Sequence, residues 1–315
     1  MKNKLSVFVT LASLAPAMAM ADITLYGKAN VSLEWVEEGD TSHSALESNS
    51  SRVGIKGSEK LNDSVEVIYQ FEYEANVDDN DDDALKQRNI FIGVKGDFGQ
   101  IIGGHIDTPL KNAQNKVDLF NDLRGDIKNY ISPNDNRTDN TVMYSSPSAS
   151  GFVAHLAYIA SEDEDRDDGK SLSLTYTSDS LYLALAFDQD VEAENAEALR
   201  AIAQYDISAW QLGLLYEQYE AEGADSQDAW MVSALYNLNS KWALKAQYAQ
   251  SEIAFSYGTG LTTDESESMS IGADYKLSKN VKVYGFYTAI TAEDEGVAGD
   301  VVDNSYAGIG MDFRF

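Results

Sequence analysis

Residues 305–315 read Ser-Tyr-Ala-Gly-Ile-Gly-Met-Asp-Phe-Arg-Phe, and apolar side chains occupy every odd position from 307 onward. The even positions hold Tyr306, Asp312 and Arg314 among two glycines. Such alternation is typical of a β-strand with one dry face and one wet face. About ten residues are enough for a tilted strand to cross a bilayer. We therefore expect this stretch to be the closing strand of a membrane barrel.

The first residues predict export from the cytoplasm. Two lysines precede a short apolar run over residues 5–14, and an Ala-Met-Ala pattern at 19–21 marks a cleavage site. We expect residues 1–21 to be a cleaved signal peptide. No Pro-rich or Gly/Ser-rich linker interrupts the remainder, so residues 22–315 are predicted to form one domain. No later stretch reaches about eighteen uninterrupted apolar residues, so we expect no transmembrane helix.

Charge and cysteine content exclude several classes of function. The chain has 23 basic and 52 acidic residues, a net charge of -29, and no cysteine. The acidic excess disfavours nucleic acid and anionic membrane surfaces as partners. The absence of cysteine excludes disulfides and thiolate-bound metal. We expect no metal and no other cofactor.

Strand-like stretches recur sixteen times, with short turns alternating with long polar connections such as 38–49. Alternation is clearest in 64–76, whereas 86–96 is apolar on both parities and is expected to be buried on both sides, against a neighbouring subunit or an infolded loop. An even number of strands brings both ends of a barrel to one side. The predicted fold is all-β, a 16-stranded antiparallel transmembrane β-barrel.

The connection 107–137 is far longer than the others. Loops of this length are usually functional or disordered. This one is rich in apolar residues, and Asp118–Leu123 has the pattern of a helical turn. We expect it to pack inside the barrel.

Several stretches together make the chain resemble the general bacterial porins. They are Leu-Tyr-Gly-Lys at 25–28, Ser-Arg-Val-Gly-Ile-Lys-Gly at 51–57, the run from Phe98 to Leu110, the run from Val117 to Gly125, and the last phenylalanine. The resemblance covers the whole chain. It implies a trimeric, sixteen-stranded outer-membrane channel whose third external loop folds into the lumen and narrows it.

The resemblance also implies what the protein does and meets. We expect a water-filled channel for passive diffusion of ions and small hydrophilic solutes, and no enzymatic activity. Its expected partners are two further copies of the chain in a homotrimer, outer-membrane lipid and lipopolysaccharide, and the outer-membrane assembly machinery, to which Phe315 is presented. Antiparallel pairing of residues 304–315 with 23–37 would close the barrel and leave no open edge in lipid.

Porins of this kind place basic wall residues opposite carboxylates of the loop. Matching positions predict a basic side of Lys28, Arg52, Arg88 and Arg137, and an acidic side of Asp118, Asp122 and Asp126. Parity independently supports Lys28, Arg52 and Arg137, whereas the strand of Arg88 has no clean polar face.

His105 lies where relatives often carry arginine after the glycine. Either this removes a fixed positive charge from the constriction, since histidine is mostly neutral at pH 7, or His105 is packed at a strand end. Together with the net charge of -29, the missing arginine predicts a preference for cations.

Three alternatives compete with a general channel. A substrate-selective channel, for example for sugars, would share the architecture, but the aromatic residues fall mostly on the apolar parity, which favours a lipid-facing girdle. An outer-membrane enzyme would need a catalytic constellation. His43, His105 and His155 are far apart, and neither Gly-x-Ser-x-Gly nor His-Glu-x-x-His occurs. A soluble β-module would not need sixteen strands with alternating long and short connections.

Overall fold

The computed structural model describes most of the chain beyond the predicted signal peptide, and residues 1–21 lie outside the described residues. Among the described residues, no helix is long and apolar enough to cross a membrane. The described residues are 22–78, 85–253, 255–256, 262–263, 265–293 and 301–315.

Strands dominate this part of the chain, and the helical segments are short. Those described are α1 (Pro109–Ala113) and a 3-10 helix (Ile127–Asn129). The described strands are β1 (Asp22–Glu38), β2 (Thr41–Ser48), β3 (Arg52–Lys60), β4 (Val65–Ala75), β5 (Leu85–Gly96), β6 (Gly99–Asp107), β7 (Arg137–Ser145), β8 (Phe152–Ile159), β9 (Gly169–Thr177), β10 (Leu181–Gln189), β11 (Glu197–Ile207), β12 (Trp210–Glu220), β13 (Gln227–Asn237), β14 (Trp242–Ser251), β15 (Phe255–Ser256), β16 (Thr262–Thr263), β17 (Glu265–Lys276), β18 (Val281–Glu293) and β19 (Val301–Arg314).

The main sheet closes on itself. Within the described residues it contains seventeen strands, and β1 pairs with β19 so that Lys28 lies opposite Arg314. The other edge of β1 pairs with both β2 and β3, on either side of residues 49–51. Because β2 and β3 thus form one wall strand, the barrel has sixteen antiparallel strands. The predicted fold class is confirmed.

One predicted loop is a strand instead. Residues 38–49 are mostly β2, which pairs with the far half of β1 around a two-residue turn at Gly39 and Asp40. Gly39 has a φ of +56°, which suits a tight hairpin turn. The strand was missed because its side chains are mostly polar and exposed, which leaves no apolar period to detect.

The connections divide the barrel into two ends. We call one the turn end, where the short connections lie, and the other the loop end, where the long ones lie. The turn-end connections are 61–64, 97–98, 146–151, 178–180, 208–209, 238–241 and 277–280. The described residues of the loop-end connections are 39–40, 76–78, 108–136, 160–168, 190–196, 221–226 and 252–253, and the short strands β15 and β16 lie between β14 and β17 at the same end.

The two faces of the wall differ in polarity. Leu25 of β1 is 63% exposed, whereas Asn30 and Ser32, on the other parity, are buried. Strand β5 follows the same rule, because Ile92 is 63% exposed, and Phe91 packs on the opposite face in an apolar cluster. In the isolated chain, β5 is therefore covered on one face only. We call the two sides the apolar face and the polar face.

Aromatic pairs lie on the apolar face towards both ends of the barrel. The ring centroids of Trp210 and Tyr236 are 4.5 Å apart near the turn end. Those of Trp230 and Tyr248 are 5.4 Å apart towards the loop end. Two aromatic girdles flanking an apolar band are typical of barrels that span an outer membrane.

The seam beside β1 offers a test of barrel packing. A methyl group on Gly310 would lie 2.4 Å from the Tyr284 ring and 2.7 Å from the Val31 carbonyl oxygen. That ring is held by hydrogen bonds of its hydroxyl to Asn30 and Asn49. We expect Gly310→Ala to destabilise the barrel by about 1–3 kcal/mol, the usual cost of overpacking.

The measurement is the temperature at which the folded band converts to the unfolded band in unboiled gel samples. Gly285→Ala is the matched control, because its nearest heavy atoms would be 3.7 Å from the new methyl group. Equal conversion temperatures for the two variants would contradict the packing of this seam.

Candidate functional site

The connection 108–136, here called the long segment, begins with a capped helix. Thr108 is the N-cap of α1, and its hydroxyl accepts a hydrogen bond from the Lys111 backbone N–H. Pro109 occupies the first turn, where a missing N–H costs nothing. Later in the segment, Asp126 caps the 3-10 helix through the Lys128 N–H. Local sequence therefore fixes both helical turns.

Apolar side chains of the long segment are buried against the wall. They pack in two clusters with residues of β10 to β14 and of β18 and β19. Burial of such side chains is worth about 1.5–3 kcal/mol each. The fully or almost fully buried members are Leu110, Ala113, Val117, Phe120, Ile127 and Ile131.

Polar wall residues bond the backbone carbonyls of the segment. The Lys245 ammonium donates to the Leu119 carbonyl at 2.9 Å, and the Ser251 hydroxyl donates to the Ile131 carbonyl at 2.7 Å. The Gln247 amide donates to the Gly125 carbonyl at 3.1 Å. All three donors lie on the polar face of β14. The long segment therefore lies against the polar face and satisfies its own backbone there.

A buried ion pair holds the end of the segment. Arg200 and Glu217 are both 0% exposed, and Nε of Arg200 lies 2.5 Å from Oε2 of Glu217. The Ser132 hydroxyl and the Asn134 amide donate to the other oxygen of Glu217. The sequence prediction missed this anchor. The sequence does place a charged residue at a polar-face position of each of these neighbouring strands. Strand periodicity alone, however, does not show that the two residues lie opposite each other.

Strand register aligns three cations in one row. Lys28 of β1 lies opposite Arg314 of β19 and opposite Arg52 of β3. We call these three residues the basic row. The Asp122 carboxylate approaches this row, with Oδ2 2.7 Å from Nζ of Lys28 and 3.8 Å from Nη1 of Arg52. Three of the predicted site residues, Lys28, Arg52 and Asp122, are thus brought together.

The basic row keeps Asp122 ionised. Burial raises the pKa of the Asp122 carboxyl, but the Lys28 ammonium and then Arg52 more than offset this, and the pKa lies at about 2. A carboxyl with a lowered folded pKa stabilises the fold above its unfolded pKa, 3.8 in the reference state. That stabilisation is lost as the pH falls through about 2. The Lys28–Asp122 pair is therefore intact at neutral and mildly acid pH.

Asp118 and Asp126 behave differently from the prediction that they face the basic side. Asp118 accepts hydrogen bonds from the backbone N–H groups of Phe120 and Ile127 at 2.9 and 3.1 Å. Asp126 accepts one from the N–H of Asp122 at 2.8 Å. Burial, followed by the neighbouring Asp126, raises the pKa of Asp118, and burial also raises the pKa of Asp126. These two carboxyls organise the turns of the segment.

The other two predicted cations have different partners. Nε of Arg88 lies 3.0 Å from Oε1 of Glu72, and Arg88 is close enough to Asp122 to interact electrostatically. Nη2 of Arg137 lies 2.9 Å from Oδ1 of Asp107. Since Asp107 and Arg137 flank the long segment, this pair joins its two ends rather than facing Asp122.

His105 also has an acidic partner. Its Nδ1 lies 2.7 Å from Oδ1 of Asp139, and the His105 side chain is 20% exposed. This contact links the end of β6 to the start of β7. His105 is therefore placed at a strand end beside a carboxylate.

Arg124 is a further charged contact that the sequence prediction left out. It bonds Glu34 at 2.8 Å and Glu47 at 2.6 Å, and its guanidinium lies 4.9 Å from the centre of the Tyr306 ring. Arg124 belongs to the same sequence motif as Asp118 and Asp122, but its acidic partners are on β1 and β2, which the sequence did not identify.

Among the described residues, no group of three or more acidic or histidine side chains could hold a metal ion.

Phe315 contributes to closure of the barrel through its backbone. Its N–H donates to the Gly27 carbonyl at 3.1 Å, and the Gly27 N–H donates to the Phe315 carbonyl at 3.0 Å. The ladder between β1 and β19 thus continues through this residue.

Comparison with known proteins places this architecture in a family. A family model described as Gram-negative porin matches residues 9–295. The major outer membrane protein P.IB of Neisseria gonorrhoeae is 26% identical over 328 residues, covering 89% of this chain and 90% of that protein.

Solved porins share the fold. An anion-selective porin from Comamonas acidovorans has a TM-score of 0.79 at 18% identity, over 94% of this chain and 100% of that one. The trimer form of OmpT, an outer membrane protein of Vibrio cholerae, has a TM-score of 0.68 at 19% identity, over 94% and 100%. Likeness at these identities concerns the fold alone. The family match covers most of the chain, which therefore belongs to the Gram-negative porins, passive channels of the outer membrane and not enzymes.

Proposed function

We propose that this porin conducts ions and small hydrophilic solutes by passive diffusion, through a lumen that the long segment narrows. The observation that carries the proposal is the set of contacts between the long segment and the polar face. They run from the Tyr182 hydroxyl of β10, bonded to the Ala113 carbonyl, to Lys28 of β1, bonded to Asp122. A segment fixed at both sides of a polar cylinder leaves a smaller wet gap beside it.

Fixed charges of both signs border the gap. Asp122 stands on the long segment, and Lys28, Arg52 and Arg88 stand on the wall. Because Asp122 is in contact with Lys28, the field of these charges acts on dipolar solutes that pass beside them. Such solutes also exchange hydrogen bonds with the lining. Apolar solutes must displace ordered water and are disfavoured.

We propose that the channel prefers cations. Each of the four predicted cations lies within 4 Å of a carboxylate oxygen, as Lys28 does with Asp122 and Arg137 with Asp107. Pairing lowers the attraction of these cations for passing anions. The chain as a whole keeps a net charge of -29, which supports enrichment of mobile cations. The Comamonas porin is described as anion-selective. At 18% identity, however, the similarity supports a shared fold and not a shared ion preference.

We also propose that the protein forms a homotrimer in outer-membrane lipid and lipopolysaccharide. The exposed Ile92 on the apolar face of β5 supports a partner or lipid on that side. A trimer form is recorded for OmpT. In this proposal residues 1–21 direct export, and the assembly machinery recognises Phe315 before the barrel closes.

Reversal potentials test the ion preference. With a KCl gradient across a planar bilayer, we expect a reversal potential whose sign shows that K⁺ permeates faster than Cl⁻. The reason is that the lumen cations are paired, so the acidic excess dominates the attraction of mobile ions. The opposite sign would show anion preference and overturn this part of the proposal.

Asp122→Asn tests the constriction. The change leaves the buried Lys28 ammonium without an ionised partner and adds one net positive charge to the gap. One charge at about 4 Å in a water-like medium is worth about 1 kcal/mol, so the K⁺/Cl⁻ permeability ratio should fall by up to about fivefold. Single-channel conductance and reversal potential are the measurements.

Asp63→Asn is the matched control for that variant. It removes the same charge from an exposed residue of a turn-end connection. We expect its permeability ratio to match wild type. Equal ratios for Asp122→Asn and wild type would remove Asp122 from the constriction.

A further inference from the structure

Charge is distributed very unevenly along the barrel axis. Leaving the long segment aside, the described residues of the loop-end connections contain 14 acidic residues and one basic residue, Arg166. The turn-end connections contain three acidic residues, Asp63, Asp97 and Asp179, and two lysines. The loop end is therefore strongly negative, and the turn end is close to neutral.

The long segment adds no net charge. The long segment contains four acidic and four basic residues, and its Asp122 and Arg124 are paired with wall residues of opposite sign. The axial difference between the ends is thus not cancelled by the segment between them.

A cavity of about 440 Å³ lies on the turn side of the long segment and is lined by four basic and three acidic residues. Lys282 is the second residue of β18, after the turn 277–280, and Arg314 ends β19. The carboxylates of the lining are engaged, since Asp107 pairs with Arg137, Asp135 pairs with Lys111, and Asp118 accepts backbone N–H groups. Two of the basic residues are paired as well, Lys282 with Asp274 and Arg314 with Asp312, so the cavity is close to neutral. The basic residues that line the cavity are Lys111, Lys116, Lys282 and Arg314.

We propose that the channel rectifies ion current, because the loop end is strongly acidic whereas the turn end and the cavity beside it are close to neutral, which makes the barrel axis polar. This inference rests on the proposed passive channel and extends it. Mobile cations concentrate at the loop end, and the turn-side cavity does not share this enrichment. A voltage that drives these cations into the narrow gap, while anions enter from the turn end, raises the ion concentration in the gap. The reverse voltage lowers it.

The polarity follows from the positions of the charges. With the loop end positive, cations enter the gap from the cation-enriched loop end, and anions enter from the turn end, where the acidic loops do not exclude them. The voltage is given as that of the loop-end side relative to the turn-end side. We expect about twofold more current at +100 mV than at -100 mV in 0.1 M KCl. In 1 M KCl, where the Debye length is about 3 Å, the ratio should approach about 1.

Channel orientation must be known for this test. The chain has no cysteine, so Ala224→Cys places a single thiol in an exposed loop-end connection. A charged, membrane-impermeant thiol reagent added to one chamber then reports which side holds the loop end. Current–voltage curves in equal salt on both sides give the rectification ratio.

Two triple variants with equal changes in net charge locate the cause. Glu164→Gln with Asp165→Asn and Asp167→Asn neutralises three exposed acids at the loop end and should lower the ratio towards 1. The matched triple at the turn end, Asp63→Asn with Asp97→Asn and Asp179→Asn, should leave the ratio unchanged or raise it.

Symmetric curves for wild type in 0.1 M KCl would overturn the inference, and so would equal decreases in both triple variants. Reversal potentials on the same channels keep this result separate from ion preference. Symmetric curves with intact K⁺ preference would refute rectification alone, whereas rectification with Cl⁻ preference would refute the proposed cation preference alone.

Discussion

Backbone N–H and C=O groups find no water inside a bilayer, so a strand that crosses it must have a hydrogen-bonded neighbour on each side. In this protein the pairing of β1 with β19 meets that requirement at the seam. The same ladder sets the register that puts Arg314, Lys28 and Arg52 side by side. Closure of the sheet and assembly of the basic row are therefore one structural event.

The long segment depends on the polar face that closure creates. Its carbonyls accept hydrogen bonds from Lys245, Gln247 and Ser251, and its end is bonded to the buried Arg200–Glu217 pair. A buried ion pair gives little net stability, because desolvation offsets attraction, but it penalises any arrangement that separates the two charges. We interpret this pair as fixing where the segment lies rather than how strongly the barrel holds together.

In the proposed channel, ion pairing also decides how strongly the charges of the lumen act on ions. Arg88, Arg137 and Lys28 each have a carboxylate neighbour, so a count of cations at the gap overstates the attraction of anions. Much of the surplus acid lies in the loop-end connections. The proposed ion preference thus rests on paired gap cations together with the acidic excess, whereas the proposed rectification rests on how the charge is distributed along the barrel axis.

Strand periodicity was enough to predict the all-β barrel, because alternation at 64–76 and 305–315 is a local property of an amphipathic strand. It was not enough for β2, whose polar side chains carry no apolar period and whose place is fixed by pairing with β1. Lys28, Arg52 and Asp122 were predicted as site residues, and the structure brings them together.

What the sequence by itself determined was the number of crossings, the two faces of the clearly alternating strands and the identity of the long segment. The tertiary structure alone decided which charges meet. Asp118, Asp122 and Asp126 lie within one short stretch, yet only Asp122 among them pairs with the basic row, while the other two cap backbone N–H groups. The reason is that the path of the folded backbone decides whether a carboxylate lies beside N–H donors of its own segment or beside a cation on the wall. The order of neighbouring residues does not specify that path.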